Sequence, residues 1–234
     1  MSEVSNPFQA VNETFIRPNK VFAKLANTDN WSWVPFFIVM ALALLPLYLF
    51  FQTIDFAWYS NYLADVQLGD VSPAEKQAYK DQLTLGMIKW STLIGSFLGF
   101  LIINALVAGY LTFMTRNDEK SIQGFTDWYG MTWWTALPSI IPSLIALVLL
   151  VMADSHQIDP ISLSPLSLAY IFGLEPTSAF FSLGQSIRLD MFWSYYLTAV
   201  ALGQWTSFST KKSWIVALAP GAVIYGIWLI FAIV

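Results

Sequence analysis

Hydrophobic residues along this chain gather into five long runs that are separated by polar stretches. The runs cover residues 33–51, 90–114, 134–152, 191–208 and 214–234. Each holds about 18–25 residues, the length at which an α-helix crosses roughly 30 Å of hydrocarbon. The pattern predicts an all-α polytopic membrane protein, with five transmembrane helices in one membrane domain (33–234) and a leader (1–32) before it.

The leader has the pattern of an amphipathic helix. Apolar residues recur at helical spacing on both sides of Pro18, and the cations Arg17, Lys20 and Lys24 run beside that stripe. One interpretation places the helix on the cytoplasmic membrane surface, where each cation contributes about 1 kcal/mol against anionic lipid. The other packs the stripe on the ends of the protein's own spans. We assign the three cations a membrane-surface role and leave both interpretations open.

The loops between the runs differ in positive charge. One side of the membrane, formed by 1–32, 115–133 and 209–213, carries seven of the 11 Lys and Arg residues, and the loops 52–89 and 153–190 carry four. Cytoplasmic loops carry the excess of cations in membrane proteins. The sequence therefore predicts a cytoplasmic N-terminus and, after five spans, an outward C-terminus.

None of the 15 Asp and Glu residues, the 11 Lys and Arg residues or the single His lies within the five runs. Proton relays, ion-coupled transport sites and voltage sensors place such groups at depth, so the pattern argues against these functions. The net charge of −4 gives no basic surface for nucleic acid, and the absence of Cys removes thiolate chemistry. Asp154, His156 and Asp159 form only a weak metal-binding pattern, because zinc sites need more His or Cys ligands. We predict no catalytic, cofactor or metal site, and no enzyme.

The second run contains a ladder of small residues, Ser91, Gly95 and Gly99, at every fourth position. Small residues let membrane helices approach closely, either within one chain or between chains of a homo-oligomer, and we favour internal packing. Asn104 and Gln204 are the two amide side chains inside the runs. Each is expected to make one interhelical hydrogen bond; a cavity lined by both would instead indicate a solute pathway.

Two further segments carry local signals. Ser72-Pro73-Ala74-Glu75 has the form of a capping box with Pro at the first helical position. We expect one continuous helix from there to Met114. The segment 161–183 is apolar but is interrupted by Pro and Gly, so it is too broken to span. It is predicted to lie at the outer membrane surface.

Several short motifs resemble the Yip family (Ypt-interacting proteins), in its bacterial branch. They are Pro18, Phe22 and Leu25 leading to Trp33 and Pro35; Ala108-Gly109-Tyr110; Trp134 with Pro138; and Leu189-Asp190-Met191-Phe192-Trp193 leading to Leu202-Gly203. The resemblance covers most of residues 17–234 and implies a five-span integral membrane protein. Eukaryotic members act in membrane traffic with small GTPases as partners. This sequence has neither their long cytosolic N-terminal region nor their DLYGP-like signature.

Three function classes follow from these observations. The resemblance, the leader and the glycine ladder favour a non-enzymatic protein of a bacterial cytoplasmic membrane that organises the bilayer or recruits a membrane or cytoplasmic protein partner. The Pro- and Gly-interrupted runs leave open a permease or channel for a neutral or lipid-like solute. An intramembrane enzyme is disfavoured because the residues form no catalytic pattern.

Overall fold

A computed structural model describes residues 4–233, whose regular structure is helical apart from one isolated antiparallel bridge between Ser167 and Arg188. The α-helices are α1 (Pro7–Ile16), α2 (Pro18–Leu25), α3 (Trp33–Thr53), α4 (Phe56–Leu68), α5 (Pro73–Asp81), α6 (Leu85–Thr115), α7 (Phe125–Thr135), α8 (Ile140–Val151), α9 (Leu168–Ile171), α10 (Phe181–Ser186), α11 (Leu189–Trp205) and α12 (Thr210–Ile233). The described residues also form two 3-10 turns, Leu137–Ser139 and Pro160–Leu163.

Within residues 4–233, four helical segments are long and apolar enough to cross a membrane. They are α3, α6, α12 and the continuous stretch Phe125–Val151, which joins α7 to α8. The all-helical membrane architecture is thereby confirmed for the described residues. The predicted span 191–208 corresponds to α11, which has only 17 residues. That is below the usual length of about 20 residues, so its crossing of the membrane stays a prediction.

The loops meet at two ends of the helix bundle. We call the end where the loops 116–124 and 206–209 meet the leader end, because α2 packs there against the last residues of α11. The opposite end, with residues 54–72 and 152–188, is the far end.

The third span begins earlier than its apolar run. The carboxylate of Asp127 accepts a hydrogen bond from the Gly124 backbone N–H at 2.8 Å, which starts α7 nine residues before Trp134. A proline has no N–H to donate, so Pro138 and Pro142 cannot continue the regular helical ladder. The chain passes through the 3-10 turn Leu137–Ser139 between α7 and α8.

The expectation of one helix from Pro73 to Met114 is wrong. The Ser72–Glu75 capping box is present, and hydrogen bonds from the Ser72 hydroxyl and backbone N–H lower the pKa of the Glu75 carboxyl. However, α5 ends at Asp81, and α6 begins anew where the Thr84 hydroxyl accepts from the Met87 N–H at 3.2 Å. A second N-cap of this kind satisfies orphan backbone donors and fixes a new helix start.

Four tryptophans form part of the core at the leader end. Trp128, Trp133, Trp134 and Trp205 are at most 4% exposed and pack in the same cluster as Phe22 of α2. A second cluster at the far end joins α3, α4 and α8. Tertiary packing at the leader end therefore buries all four of these side chains.

The segment between α8 and α11 is folded rather than extended. Backbone hydrogen bonds join Leu168 to Ile187 and Leu189 to Leu166, so α9 lies beside the start of α11. The α10 helix packs on α12, and the turn Pro160–Leu163 packs on α8. Phe172 remains 71% exposed. The position of the segment 161–183 at the outer membrane surface stays a prediction. A segment at that surface needs exposed apolar side chains such as Phe172.

Candidate functional site

The leader is held against the bundle by α11. The Trp205 indole N–H donates to the Phe22 carbonyl at 2.8 Å, and Gln204 donates to the Asn19 side chain at 3.0 Å. Nearer the start of α11, the ring of Trp193 packs edge-on against the ring of Phe15, with 5.9 Å between the ring centroids. The leader therefore runs along α11, and the apolar stripe of α2 packs on the protein itself.

The three leader cations lie on the outward side of this contact. Arg17 is exposed and lies 3.8 Å from the Glu13 carboxylate, a separation at which an ion pair contributes little. Lys20 is exposed and Lys24 is half-buried. Their membrane-surface role stays a prediction.

A carboxylate joins the two loops of the leader end. Asp118 accepts hydrogen bonds from the backbone N–H and hydroxyl of Ser207, and from the backbone N–H groups of Lys120 and Ser121. The Lys120 ammonium donates in turn to the Thr206 carbonyl at 3.2 Å. Burial acts to raise the pKa of Asp118, but these hydrogen bonds outweigh it and lower the pKa. We call this set of contacts the loop clasp.

A cleft of about 870 Å³ opens beside the clasp, between the turn that follows α2 and the start of α7. Asp29 and Asp127 are its charged residues, and no Lys or Arg lies in its described wall. Ile122 and Trp33 on its rim are 82% and 59% exposed. Such a cleft matches a ligand that carries a cation beside an apolar group. We call it the acidic cleft.

A second cavity, of about 540 Å³, lies between α6, α7, α11 and α12. Hydroxyl groups from all four helices line it, together with Asn104 and Arg188. Gln204 is not part of its wall. The two amides expected to line a solute pathway together are therefore separated. We call this space the membrane cavity.

The predicted amide contacts are found for one residue only. Gln204 makes an interhelical bond, as described above. Asn104 donates to the Phe100 carbonyl of its own helix at 2.8 Å, so the expectation of an interhelical bond is wrong there. Asn104 lines the membrane cavity.

The small-residue ladder does not pack within the chain. A Cβ atom placed on Gly95 or Gly99 would have no atom of another part of the described chain within 4 Å, and Ser91 is exposed. The favoured internal packing is therefore wrong for these positions. Contact with a second copy of the chain stays a prediction. Gly99 also lines the membrane cavity.

Two members of the pattern Asp154, His156 and Asp159 have ordinary structural roles. The Asp159 carboxylate caps the turn Pro160–Leu163 by accepting from the Ile161 N–H at 3.0 Å, and the His156 carbonyl accepts from the Asp55 N–H. No cluster of three potential ligands occurs among residues 4–233. Burial, together with the nearby Asp159, raises the pKa of Tyr62 to about 12.

Sequence reasoning missed the ion pair at the start of α11. The Arg188 guanidinium donates twice to the Asp190 carboxylate, at 3.0 and 2.9 Å, and the Asp190 side chain is only 1% exposed. The Tyr225 hydroxyl of α12 reaches the neighbouring Ser186 carbonyl at 3.4 Å. Eight apolar-rich residues of α12 continue beyond Tyr225, about 12 Å of helix. The ion pair therefore lies beside a candidate span and not in a free loop. The sequence signal that could have revealed it is two opposite charges, two residues apart, just before an apolar run.

Comparison with known proteins gives one match. The family model described as Yip1 domain matches residues 12–231. No curated protein and no solved structure matches the chain. Because the match covers far more than half of the chain, this chain belongs to the Yip1-domain family of membrane proteins.

Proposed function

We propose that this protein is a non-enzymatic, five-span protein of the Yip type that recruits a protein partner to the membrane through the acidic cleft. The observation that carries the proposal is the cleft itself, an open, acidic and partly aromatic recess at the leader end. The clasp and the packed leader support its shape, since they restrain both walls by hydrogen bonds. A site held on rigid elements binds without first ordering its own loops.

The proposal includes the topology. With α11 counted as the fourth span, the leader end faces the cytoplasm and carries the larger share of cations. The C-terminus then lies outside. A bacterial cytoplasmic membrane is the location that the sequence resemblance implies, and the acidic cleft would be open to cytoplasmic proteins.

The partner chemistry follows from the wall of the cleft. The carboxylates of Asp29 and Asp127, in a wall that no described Lys or Arg lines, attract a basic side chain, and the exposed Ile122 and Trp33 offer area to an apolar one. We therefore expect a protein segment with Lys or Arg next to an aliphatic or aromatic residue. Asp127 also caps α7, so Asp29 is the better position for a test.

The test compares two variants that reverse one charge at the same end of the protein. Asp29→Lys changes the cleft, and Glu119→Lys makes the same change at an exposed position outside it. Each protein is purified from native membranes in a mild detergent, and bound proteins are quantified by mass spectrometry. We expect one protein to be recovered with the wild type and with Glu119→Lys, and to fall about tenfold with Asp29→Lys, as loss of a charge contact predicts.

A photo-reactive residue at position 122 should cross-link to that same protein, because Ile122 lies on the cleft rim. The proposal fails if the recovered proteins do not differ between Asp29→Lys and Glu119→Lys. A permease or channel for a neutral or lipid-like solute is the alternative. It is less well supported, because Asn104 and Gln204 do not share a cavity.

A further inference from the structure

The membrane cavity is open towards lipid and not only towards the helices. At the leader end, α6 and α12 are joined where the Tyr110 hydroxyl donates to the Val216 carbonyl at 3.0 Å. Beyond that bond, Ile103 of α6 and Ile224 of α12 both line the cavity and are 63% and 58% exposed. Exposed apolar side chains on candidate spans face hydrocarbon. A molecule already dissolved in the bilayer can therefore enter between the two helices.

Hydrogen-bond donors gather on one wall of this cavity. Arg188 has five N–H donors, of which the bonds to Asp190 use two. The Tyr195 hydroxyl makes no hydrogen bond to any described residue, and Tyr225 makes only contacts of 3.4 Å or longer. Arginine and tyrosine donors near one another suit a phosphate, which only accepts hydrogen bonds.

Hydrogen-bond acceptors also line the cavity. One side-chain N–H of Asn104 and the hydroxyl protons of Thr135 and Thr198 are donated to carbonyls of their own helices. Their oxygen atoms keep unused lone pairs. These atoms can accept hydrogen bonds from an ammonium group.

The net charge of the wall restricts the ligand further. Arg188 and Asp190 are the ionised residues of the site and neutralise each other. A ligand with a full net charge would therefore be poorly compensated at this depth. A head group with no net charge that carries both a phosphate and an ammonium with N–H groups avoids that cost. Its phosphate accepts from the donors of the wall, and its ammonium donates to the acceptors.

We propose that the membrane cavity binds a single zwitterionic phospholipid with a primary ammonium group. Its phosphate accepts from Arg188 and Tyr195, its ammonium donates towards Asn104, and an acyl chain leaves between Ile103 and Ile224. The volume of about 540 Å³ is large enough for a head group and part of a chain. This site shares no residue with the acidic cleft and does not rest on the proposed function.

The test measures lipid retention by native mass spectrometry of the purified full-length chain. The probes are dioleoyl phosphatidylethanolamine, phosphatidylcholine, phosphatidylglycerol and diacylglycerol, added singly to the detergent-solubilised protein. We expect one phosphatidylethanolamine per chain, bound about tenfold more tightly than the other three, as lost charge-assisted hydrogen bonds predict. Equal retention of all four lipids, or none of phosphatidylethanolamine, overturns the proposal.

Two substitutions locate the site. Gly99→Leu places a side chain into the open space of the cavity and should reduce retention about tenfold, whereas Gly95→Leu, one turn away and outside the cavity, should not. Asn104→Leu should remove the preference for phosphatidylethanolamine over phosphatidylcholine. Unchanged binding in both Gly99→Leu and Asn104→Leu would place the lipid elsewhere and refute the assignment.

A paired substitution tests the phosphate contact. Arg188→Met combined with Asp190→Leu removes both charges together, which avoids leaving one buried charge alone. Phosphatidylethanolamine retention should fall about tenfold in this variant. Retention at the wild-type level contradicts the role of Arg188. If the paired variant fails to fold, the comparison of Gly99→Leu with Gly95→Leu still decides the proposal.

Discussion

At the scale of single residues, Tyr110 satisfies a carbonyl that a proline leaves without its helical partner. Pro220 has no N–H, so the Val216 carbonyl four residues earlier cannot receive its usual bond. The Tyr110 hydroxyl donates to that carbonyl at 3.0 Å. An unsatisfied backbone group in hydrocarbon is costly, so this bond explains how α12 tolerates proline within a span.

Tyr110→Phe should lower the free energy of unfolding by about 1–3 kcal/mol, because it leaves the Val216 carbonyl unpaired and keeps the ring. Thermal unfolding in detergent measures the effect. Tyr196→Phe is the control, since the Tyr196 hydroxyl has no hydrogen bond among the described residues and the side chain is 38% exposed. Equal unfolding temperatures for the two variants would show that Tyr110 is not needed for α12.

Asp118 acts at the same scale on the loop clasp. Its pKa is lowered in the folded protein, so the carboxylate stabilises the fold above its ordinary pKa of about 3.9. This contribution is lost as the pH falls through the lowered folded pKa. Asp118→Asn should cost about 1 kcal/mol near neutral pH, a small value because solvent screens the clasp. The difference in stability between Asp118→Asn and the wild type should disappear once the pH has fallen below the lowered pKa of Asp118.

Thermal unfolding across pH 2–7, about the window set by an Asp pKa, follows this prediction, with Glu119→Gln as the control at an exposed neighbouring position. If Asp118→Asn and Glu119→Gln behave alike at every pH, the clasp does not join the two loops.

At the scale of helices, α11 and α12 pack closely at one glycine. A Cβ atom at Gly221 would collide with the Tyr195 ring and hydroxyl, whereas a Cβ atom at Gly226 would have no neighbour within 4 Å among the described residues. Gly221→Ala should therefore displace Tyr195 and cost about 1–3 kcal/mol. Gly226→Ala should be neutral or slightly stabilising, because alanine favours a helix. Comparing their unfolding temperatures tests the packing, and equal effects would contradict it.

The helices themselves were largely predictable, and their contacts were not. Length and hydropathy place α3, α6 and α12 correctly because a span must satisfy both. Gly221, Gly95 and Gly99 look alike in the sequence, yet only Gly221 meets a neighbouring helix. Which face of a span meets another depends on the whole bundle, and lipid gives no hydrophobic signal to distinguish them. The membrane cavity was hidden for the same reason.

At the scale of the whole molecule, the topology depends on whether α11 crosses the membrane. Its 17 residues are fewer than a span usually needs, and the ion pair of Arg188 and Asp190 lies at its start. The start of α11 nevertheless adjoins Tyr225, well inside α12, through Met191, while the residues that follow its other end belong to the loop clasp. A short helix can cross where the folded segment 160–187 packs beside its start and shortens the distance to be covered.

We predict that the N-terminus and the loop 206–212 face the cytoplasm, and that the C-terminus faces outward, because the cation-rich side stays inside. Reporters that are active only inside or only outside the cell, fused at residue 1, within 209–212 and after Val234, measure this directly. Fusions within 116–120 serve as the cytoplasmic control, and fusions within 69–72 as the outer one. Reporters within 175–178 and 209–212 on the same side of the membrane would mean that α11 does not span. A C-terminal reporter on the same side as residue 1 would likewise contradict a five-span protein.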